Sequence, residues 1–571
     1  MKKVHALLLI AFSVLFIATS CSSDNDEPIA NSDKGVIIRA TFDPATKTFT
    51  LFYSKGSTET VDAVIDKNTN PPSASATLKD GIIVSVNNAT VEGKAKIDNP
   101  ATYSYVNDWI FENMNIYYLW NDKIPKKPNF SVKPDKFFDA LLYKYNPTTN
   151  PQGDRFSWIQ ESSDDLLDGL GGVSSDEIGF EYIFAAVNEA RTQYYALVTY
   201  PKKGSDAHSK GIERGRFIIA VDGKDITSNN YRALFSGTGS KTLSMADFVY
   251  NSEYDKYQLT PSGDITIQME KKFAENPVYM DSVYTTINDT KIGYMVYNFF
   301  AADKGDNSHD YDRLLMNTLS NIKAKGATEM ILDLRYNGGG RVSTAYALAS
   351  ALVKDRSTDN ILVTAQYNDL VHAALKKEEG ADYNKDYFVD KVQGTDIEVP
   401  NLNLSRLYVL VTKNSASASE LIINGLKPYM DVILIGETTY GKNVGSISIY
   451  EKDDAKNKWG MQPIIVRYAN SNGESDFTAG FTPNFEIDEF DALDLRLVKF
   501  GDTEDPLLSK AIEQITGTAP TSRSSMRRSI ATYPQMIEVK GTNSIFQDKN
   551  RFEMYDDVRG EKIKQLMTDM N

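Results

Sequence analysis

The 571-residue sequence has a single cysteine, Cys21, and four histidines: His5, His208, His309 and His372. One thiol excludes an intrachain disulfide framework and a cysteine-based metal site. So few histidines leave little choice for an imidazole base. Basic residues are outnumbered, 62 Lys and Arg against 77 Asp and Glu, for a net charge of −15. That balance excludes a nucleic-acid-binding surface. Long apolar runs are also missing: past the first twenty residues none reaches the eighteen or so needed to cross a bilayer. What remains is an ordinary globular balance, 41% hydrophobic and 24% charged, long enough for several domains. Tyrosine is plentiful, 32 residues, which suits strands and interfaces.

Residues 1–20 read as an export signal. Lys2 and Lys3 form a basic start, Ala6 to Thr19 is largely apolar, and small residues lead to Cys21. Ala18-Thr19-Ser20-Cys21 resembles a bacterial lipoprotein box, with Ala18 where Leu is commonest. The resemblance implies cleavage before Cys21, lipidation there and a membrane anchor. The acidic stretch Ser22 to Glu27 resembles the export signal of Bacteroidetes surface lipoproteins. The expectation is an outer-membrane lipoprotein exposed at the cell surface, or alternatively facing the periplasm, with residues 21–35 as its tether.

Short alternating runs across 36–98, punctuated by Asp43-Pro44, Asn70-Pro71-Pro72 and Asp80-Gly81, predict a small all-β module. Residues 99–165 read as helical, with an amphipathic stretch from Tyr103 to Trp120 and a second from Phe137 to Tyr145. Residues 170–280 are rich in strand formers. Ala207, Gly211, Gly215, Ile218-Ile219, Val221 and Asp222-Gly223 resemble the pattern of a PDZ domain, with Asp206 where Pro is usual and Arg216 where Asp is usual. That resemblance implies that backbone N–H groups at Gly179 and Phe180 receive a peptide's C-terminal carboxylate, the peptide adding as an edge strand.

Residues 285–500 alternate strand and helix patterns: strands near 292–300, 329–335, 407–412 and 432–436, and helices near 310–323, 343–352 and 418–427. That order predicts an α/β layer with parallel strands. Tyr336-Asn337-Gly338-Gly339-Gly340 ends one strand and opens a helix, where free N–H groups suit an anion. No Gly-Lys-Ser/Thr follows, so it is not a phosphate loop. A second strand-to-helix turn carries Ser415, Ser417 and Ser419, and the next strand ends in Gly441-Lys442. A serine at a helix start with a lysine after the following strand suggests a nucleophile and its base.

Asp333 to Gly340, Ser415 to Glu420, Gly436 to Lys442 and Gly480-Phe481-Thr482-Pro483, in that order, resemble the S41 serine peptidases, the C-terminal processing peptidases. The resemblance implies a crotonase/ClpP-like α/β core, with Ser417 as nucleophile and Lys442 as general base. It implies an oxyanion hole from the N–H groups of Ala418 and Gly339. Many members carry Gln four residues after the lysine. Here Ser446 stands there, a possible orienter of shorter reach.

A lysine base needs its charged form destabilised by roughly 4 kcal/mol, which burial among apolar residues such as Val432 to Ile435 and Tyr440 would supply. Glu420 and Glu437 read as structural caps or partners. Residues 501–571 predict a helix over 506–515, a linker over 518–528 and a terminal helix within 552–570 that Gly560 would weaken. They carry no assigned chemistry. The fold expected is multidomain α/β: a crotonase/ClpP-like catalytic core with a PDZ-like domain and a small N-terminal all-β module. The activity expected is a serine endopeptidase acting on protein or peptide substrates, without metal or organic cofactor. The alternative is a non-catalytic peptide- or glycan-binding surface lipoprotein.

Overall fold

A computed structural model describes residues 34, 37–69, 71–79, 81–100, 103–174, 177–254, 256–454, 456–520, 537–539, 544 and 553–570. The export signal, Cys21 and nearly all of the expected tether lie outside these residues. The described chain divides into two units, one ending at Thr102 and one beginning at Tyr103.

The first unit is the expected all-β module. Seven strands between Ile37 and Asp98 form an antiparallel sheet, with Ile37–Asp43 paired to Thr48–Tyr53 on one side and Gly93–Asp98 on the other. Its core follows the two-residue strand period: Ala40 and Phe42, then Phe49 and Leu51, then Ala74 and Ala76, are buried together.

The second unit is built on a six-stranded sheet. Its order is Val278–Thr285, Lys291–Tyr297, Glu329–Asp333, Arg406–Val411, Asp431–Gly436 and Phe485–Glu486. The first pair is antiparallel and the rest parallel. Near-continuous apolar strands fit a sheet covered on both faces. One face, with Leu332 and Val409, packs on the helices Asp310–Ala324, Val342–Leu352 and Ala418–Leu426. The helices Tyr103–Tyr117 and Pro134–Leu141 join this same core through Ile110, Met114 and Phe137. The other face, with Ile331, Leu410 and Ile435, packs on Leu507, Leu508 and Ala511 of the helix Pro506–Thr516. Part of the segment expected to be a tail is therefore core.

A separate antiparallel sheet occupies the segment expected to be PDZ-like. Phe180–Ala186 pairs with Gln193–Pro201, and the long strands Ser240–Asn251 and Lys256–Gln268 close the far side. Ile537–Glu538, from far down the chain, pairs with the outer edge of Phe180–Ala186. A third sheet inserts another distant strand. Met554–Tyr555 lies between Gly340–Arg341 and Val444–Ser446, parallel to both. The helix Asp557–Met570 follows. Its Gly560 is a packing requirement, since a Cβ there would come within 2.7 Å of Ile447 Cγ2.

Arg335, fully buried, fixes the start of the glycine turn. Its guanidinium meets Glu489 at 2.6 Å, Asp505 at 2.7 Å and Asp333 at 2.9 Å. Arg214, from the second sheet's connection, reaches the same Glu489 carboxylate at 2.7 Å. Burial alone would raise the Glu489 carboxyl, but Arg214 and Arg335 overcome it and hold the group at about 2, against an ordinary 4.5. Between those values the unfolded chain binds more protons than the folded one. The contribution of Glu489 is thus complete above pH 4.5 and is lost as pH falls toward 2. Glu489→Gln is expected to cost about 3–5 kcal/mol at pH 7, as for a broken buried pair, and to flatten the acid loss. Denaturant midpoints at pH 7 and pH 3 test this. The same acid sensitivity in wild type and variant would remove Glu489 from the account.

Candidate active site

The strand Arg406–Val411 ends in a turn that leads into the helix Ala418–Leu426. All three serines of the turn are buried, but only one keeps an unused hydroxyl. Ser415 Oγ donates to Leu334 O at 2.7 Å and accepts from Thr412 N–H. Ser419 Oγ donates to Asn337 O at 3.0 Å. Ser417 Oγ has no hydrogen-bond partner among the described residues. Ser417 also holds φ 63° and ψ −116°, a sparsely populated conformation for a residue with a Cβ, at a cost of order 1–3 kcal/mol. It caps the helix N-terminus, so the first-turn N–H groups, that of Ala418 among them, lack intrahelical acceptors.

The glycine turn is stitched to the serine turn through Asn337. Its carbonyl accepts from Ala416 N–H at 3.1 Å, and its amide donates to Tyr297 O at 2.9 Å. The Gly339 N–H, expected to face an oxyanion, instead donates to Asn337 Oδ1 at 2.9 Å. What Gly339 supplies is room. At φ 120°, a Cβ there would lie 2.6 Å from Ser417 Cβ and 2.6 Å from the Glu553 carbonyl oxygen.

Glu420 joins the serine turn to the lysine turn. Its buried carboxylate accepts from the backbone N–H of Ser417 at 2.9 Å, Gly441 at 2.7 Å and Lys442 at 2.8 Å, and from the Thr439 hydroxyl at 2.5 Å. Burial pushes this carboxyl above its ordinary value, against the pull of those donors. Tyr440 N–H adds a bond to Ser415 O at 3.0 Å. Glu437, by contrast, is half-buried beside Lys413. Burial raises it to about 7, with Lys413 opposing, and it takes no part in this junction.

Lys442 is 1% exposed. Its burial is as expected, but its acidic partner was not foreseen. The ammonium lies 5.0 Å from the centre of the Phe156 ring and donates to Glu553 Oε2 at 3.1 Å. Ser446 Oγ donates to the same oxygen at 3.0 Å, and Trp158 Nε1 to Glu553 Oε1 at 2.7 Å. Ser446 and Lys442 thus meet on a shared carboxylate rather than on each other. Glu553 belongs to the segment that carried no assigned chemistry. Neither motif nor periodicity marks it, because its place comes from the two-residue strand that follows it. Of the histidines, His309 bonds with Asp312 and His372 with Tyr383, and neither shares a partner with Ser417.

At the other expected site, Gly179 N–H donates to Glu177 Oε1 at 2.8 Å, and Phe180 begins the edge strand. The Gly179 N–H expected to receive an incoming carboxylate already holds one from this chain.

Residues 291–487 match the family model Peptidase family S41, and residues 105–158 match Peptidase S41 N-terminal domain. Two segments of the chain are thus similar to the domains of peptidase family S41. The chain is similar to the carboxy-terminal processing protease CtpA of Bacillus subtilis (strain 168), 26% identical over 54% of this chain and 56% of that protein. A candidate CtpA-like serine protease of Staphylococcus aureus (strain MRSA252) is 23% identical over 66% of this chain and 64% of its own length. The matches thus span between about half and two thirds of these curated relatives. Among solved structures, a candidate S41 protease from Bacteroides fragilis NCTC 9343 superposes with a TM-score of 0.60. It is 28% identical, over 72% of this chain and 97% of that one.

The S41 domain's two turns depend on one side chain, and this can be measured. Glu420→Ala strands three buried N–H groups, each costing about 1–3 kcal/mol, so a loss of at least about 3 kcal/mol in chemical unfolding is expected. Glu420→Gln, which keeps an acceptor oxygen, is expected to lose less than half as much. Equal losses would mean that the carboxylate's bonds do not matter.

Proposed function

We propose that the chain is a serine endopeptidase working through Ser417 and Lys442. The observation that carries this reading is the one unused hydroxyl among the turn's three serines, that of Ser417, on a strained residue whose N–H shares a buried carboxylate with the N–H of Lys442. Once substrate entry has brought Lys442 Nζ within reach of it, Ser417 Oγ attacks the carbonyl carbon of a peptide bond while its proton passes to Lys442 Nζ. The developing oxyanion is met by Ala418 N–H at the helix N-terminus, where the dipole favours negative charge. The second donor, Gly339 N–H, becomes available when it leaves Asn337 Oδ1. The C–N bond then breaks as Lys442 returns the proton to the leaving amine, and an ester remains on Ser417. Water attacks that ester, giving its proton to Lys442, and Lys442 passes that proton to Ser417 Oγ as the acyl–oxygen bond breaks and the acid product departs. Because Ser417 is buried at rest, substrate entry includes a conformational step.

Glu553 takes the place of the amide that many members carry four residues beyond the lysine. It holds Lys442 Nζ from one side, with Ser446 and Trp158 fixing its own two oxygens. A carboxylate beside an ammonium favours its charged form, so Lys442 accepts a proton only once substrate entry draws Nζ away from Glu553. The sheet over residues 178–269 is read as PDZ-like and selects peptide substrates by strand addition. Lipidation at Cys21 would hold the enzyme at the outer membrane.

Cleavage of an unfolded protein substrate tests the dyad. Ser417→Ala and Lys442→Ala are each expected to lower kcat by about 10²-fold or more, and undiminished turnover in both would end the proposal. Glu553→Ala is expected to lower kcat by about 10²-fold with KM nearly unchanged, as for a misplaced base. Glu553→Gln should recover most of that loss, and it should also shift the pH profile of kcat. If Ala and Gln are equally impaired with the wild-type profile, Glu553 is structural only.

A further inference from the structure

The strand Phe180–Ala186 would be an open sheet edge if the chain did not cover it with its own distant segment. Ile537–Glu538 runs antiparallel to it, with Ala185 opposite Glu538 and Ala186 opposite Ile537. Val539 N–H continues the ladder to Phe184 O at 2.8 Å. The Val539 side chain packs on the sheet's apolar cluster, which includes Tyr182, Phe184 and Phe235. Ser544 Oγ accepts from Tyr182 N–H at 2.8 Å and turns its proton toward the Glu181 carboxylate. Glu538 is held as well, by Lys413 at 2.8 Å. Backbone pairing, an apolar side chain in the cluster and one charge pair are the ingredients of strand-addition recognition.

The start of that edge is built against chain ends. Glu177 places one carboxylate oxygen on Gly179 N–H at 2.8 Å and the other on Lys202 at 2.7 Å. Lys202 also meets Glu181 at 2.9 Å and Glu275 at 3.7 Å. The N–H that a terminal carboxylate would need is thus already taken by the Glu177 carboxylate, which Lys202 holds in place from its other oxygen. The resident segment has no such end. It is internal, and the chain goes on from Ser544 to Glu553.

We propose that this edge recognises internal extended segments rather than chain ends, and that Ile537–Val539 with Ser544 is a tethered occupant displaced by a peptide strand with an acidic residue followed by an apolar one. The proposal refines the strand-addition reading of this sheet. It does not depend on the chemistry of Ser417, so the test uses the full chain carrying Ser417→Ala, which also prevents cleavage of the probe.

The probe is a fluorescent peptide of residues 534–546, made once with a C-terminal amide and once with a free acid, and binding is read by anisotropy. Two further substitutions each weaken the resident: Val539→Asp removes its apolar contact, and Glu538→Lys reverses its charge while leaving Lys413 for the peptide. Loss of the tethered competitor is expected to tighten peptide binding about tenfold or more over the parent, with amide and acid within threefold of each other. Glu538→Lys leaves the apolar cluster untouched, so it answers the question if Val539→Asp fails to fold. Two outcomes overturn the proposal. One is no gain in any variant that retains the parent's circular dichroism spectrum. The other is binding at least tenfold tighter for the free acid than for the amide, which would make the edge a reader of chain ends.

Discussion

The candidate site depends on one buried carboxylate. Ser417 and Lys442 stand at the ends of neighbouring parallel strands, Arg406–Val411 and Asp431–Gly436. The helix between them begins at Ala418, so its third residue, Glu420, faces back over both strand ends. From there a single side chain accepts the N–H groups of Ser417, Gly441 and Lys442. Left unpaired in a buried place, those donors would each cost about 1–3 kcal/mol. Bound to one acceptor, they fix the serine turn and the lysine turn to each other. The strained backbone of Ser417 persists because its surroundings hold it, and Glu420 together with the Asn337 bonds provides that constraint. Glu420 thereby ties the turn of Ser417 to the turn of Lys442 within one strand-helix-strand unit, and Asn337 adds bonds from outside it.

This local closure explains why so much was legible in the sequence. Strand and helix periods placed the four central strands of the sheet and the helices between them within a few residues, because each is set by its own apolar pattern, while the outer strands Val278–Thr285 and Phe485–Glu486 were not foreseen. The serine and lysine turns follow directly from those elements. Glu420 was seen and set aside as structural, which is an accurate description of its bonds but understates their consequence. The glycine turn was expected to offer the Gly339 N–H. The sequence could not show that Asn337, two residues earlier, would take that N–H with its own side chain. Lys442 was expected among apolar neighbours and instead meets Glu553. That contact joins residues 111 apart in sequence through a strand of two residues, and two residues carry no readable period.

Charge explains a feature that composition alone presents as a surface property. The chain is acidic by fifteen charges, yet several of its acids are spent inside. Arg335 is met by Asp333, Glu489 and Asp505. Lys202 is met by Glu177, Glu181 and Glu275. A buried cation without a partner costs several kcal/mol, and a pair recovers that only with good geometry and further hydrogen bonds. These clusters have both, and each lies at a junction: Arg335 where the glycine turn leaves the central sheet, Lys202 where the edge strand of the second sheet begins. Ion pairing here sets registry between parts that apolar packing alone would let slide.

The distal segment enters the structure at separate points, and their independence follows from chain geometry. Glu538 meets Lys413, Ser544 meets Tyr182, and Glu553 meets Lys442. The roughly nine residues between Ser544 and Glu553 can span up to about 30 Å when extended. A strand can therefore leave the edge of Phe180–Ala186 without drawing Glu553 from Lys442. Conversely, Glu553 is held locally, by Trp158, Ser446 and the ladder of Met554–Tyr555 with Gly340–Arg341. Its position does not need the upstream contacts. One stretch of chain thus performs two jobs, covering a sheet edge and completing a lysine's surroundings, and each is stabilised by its own contacts.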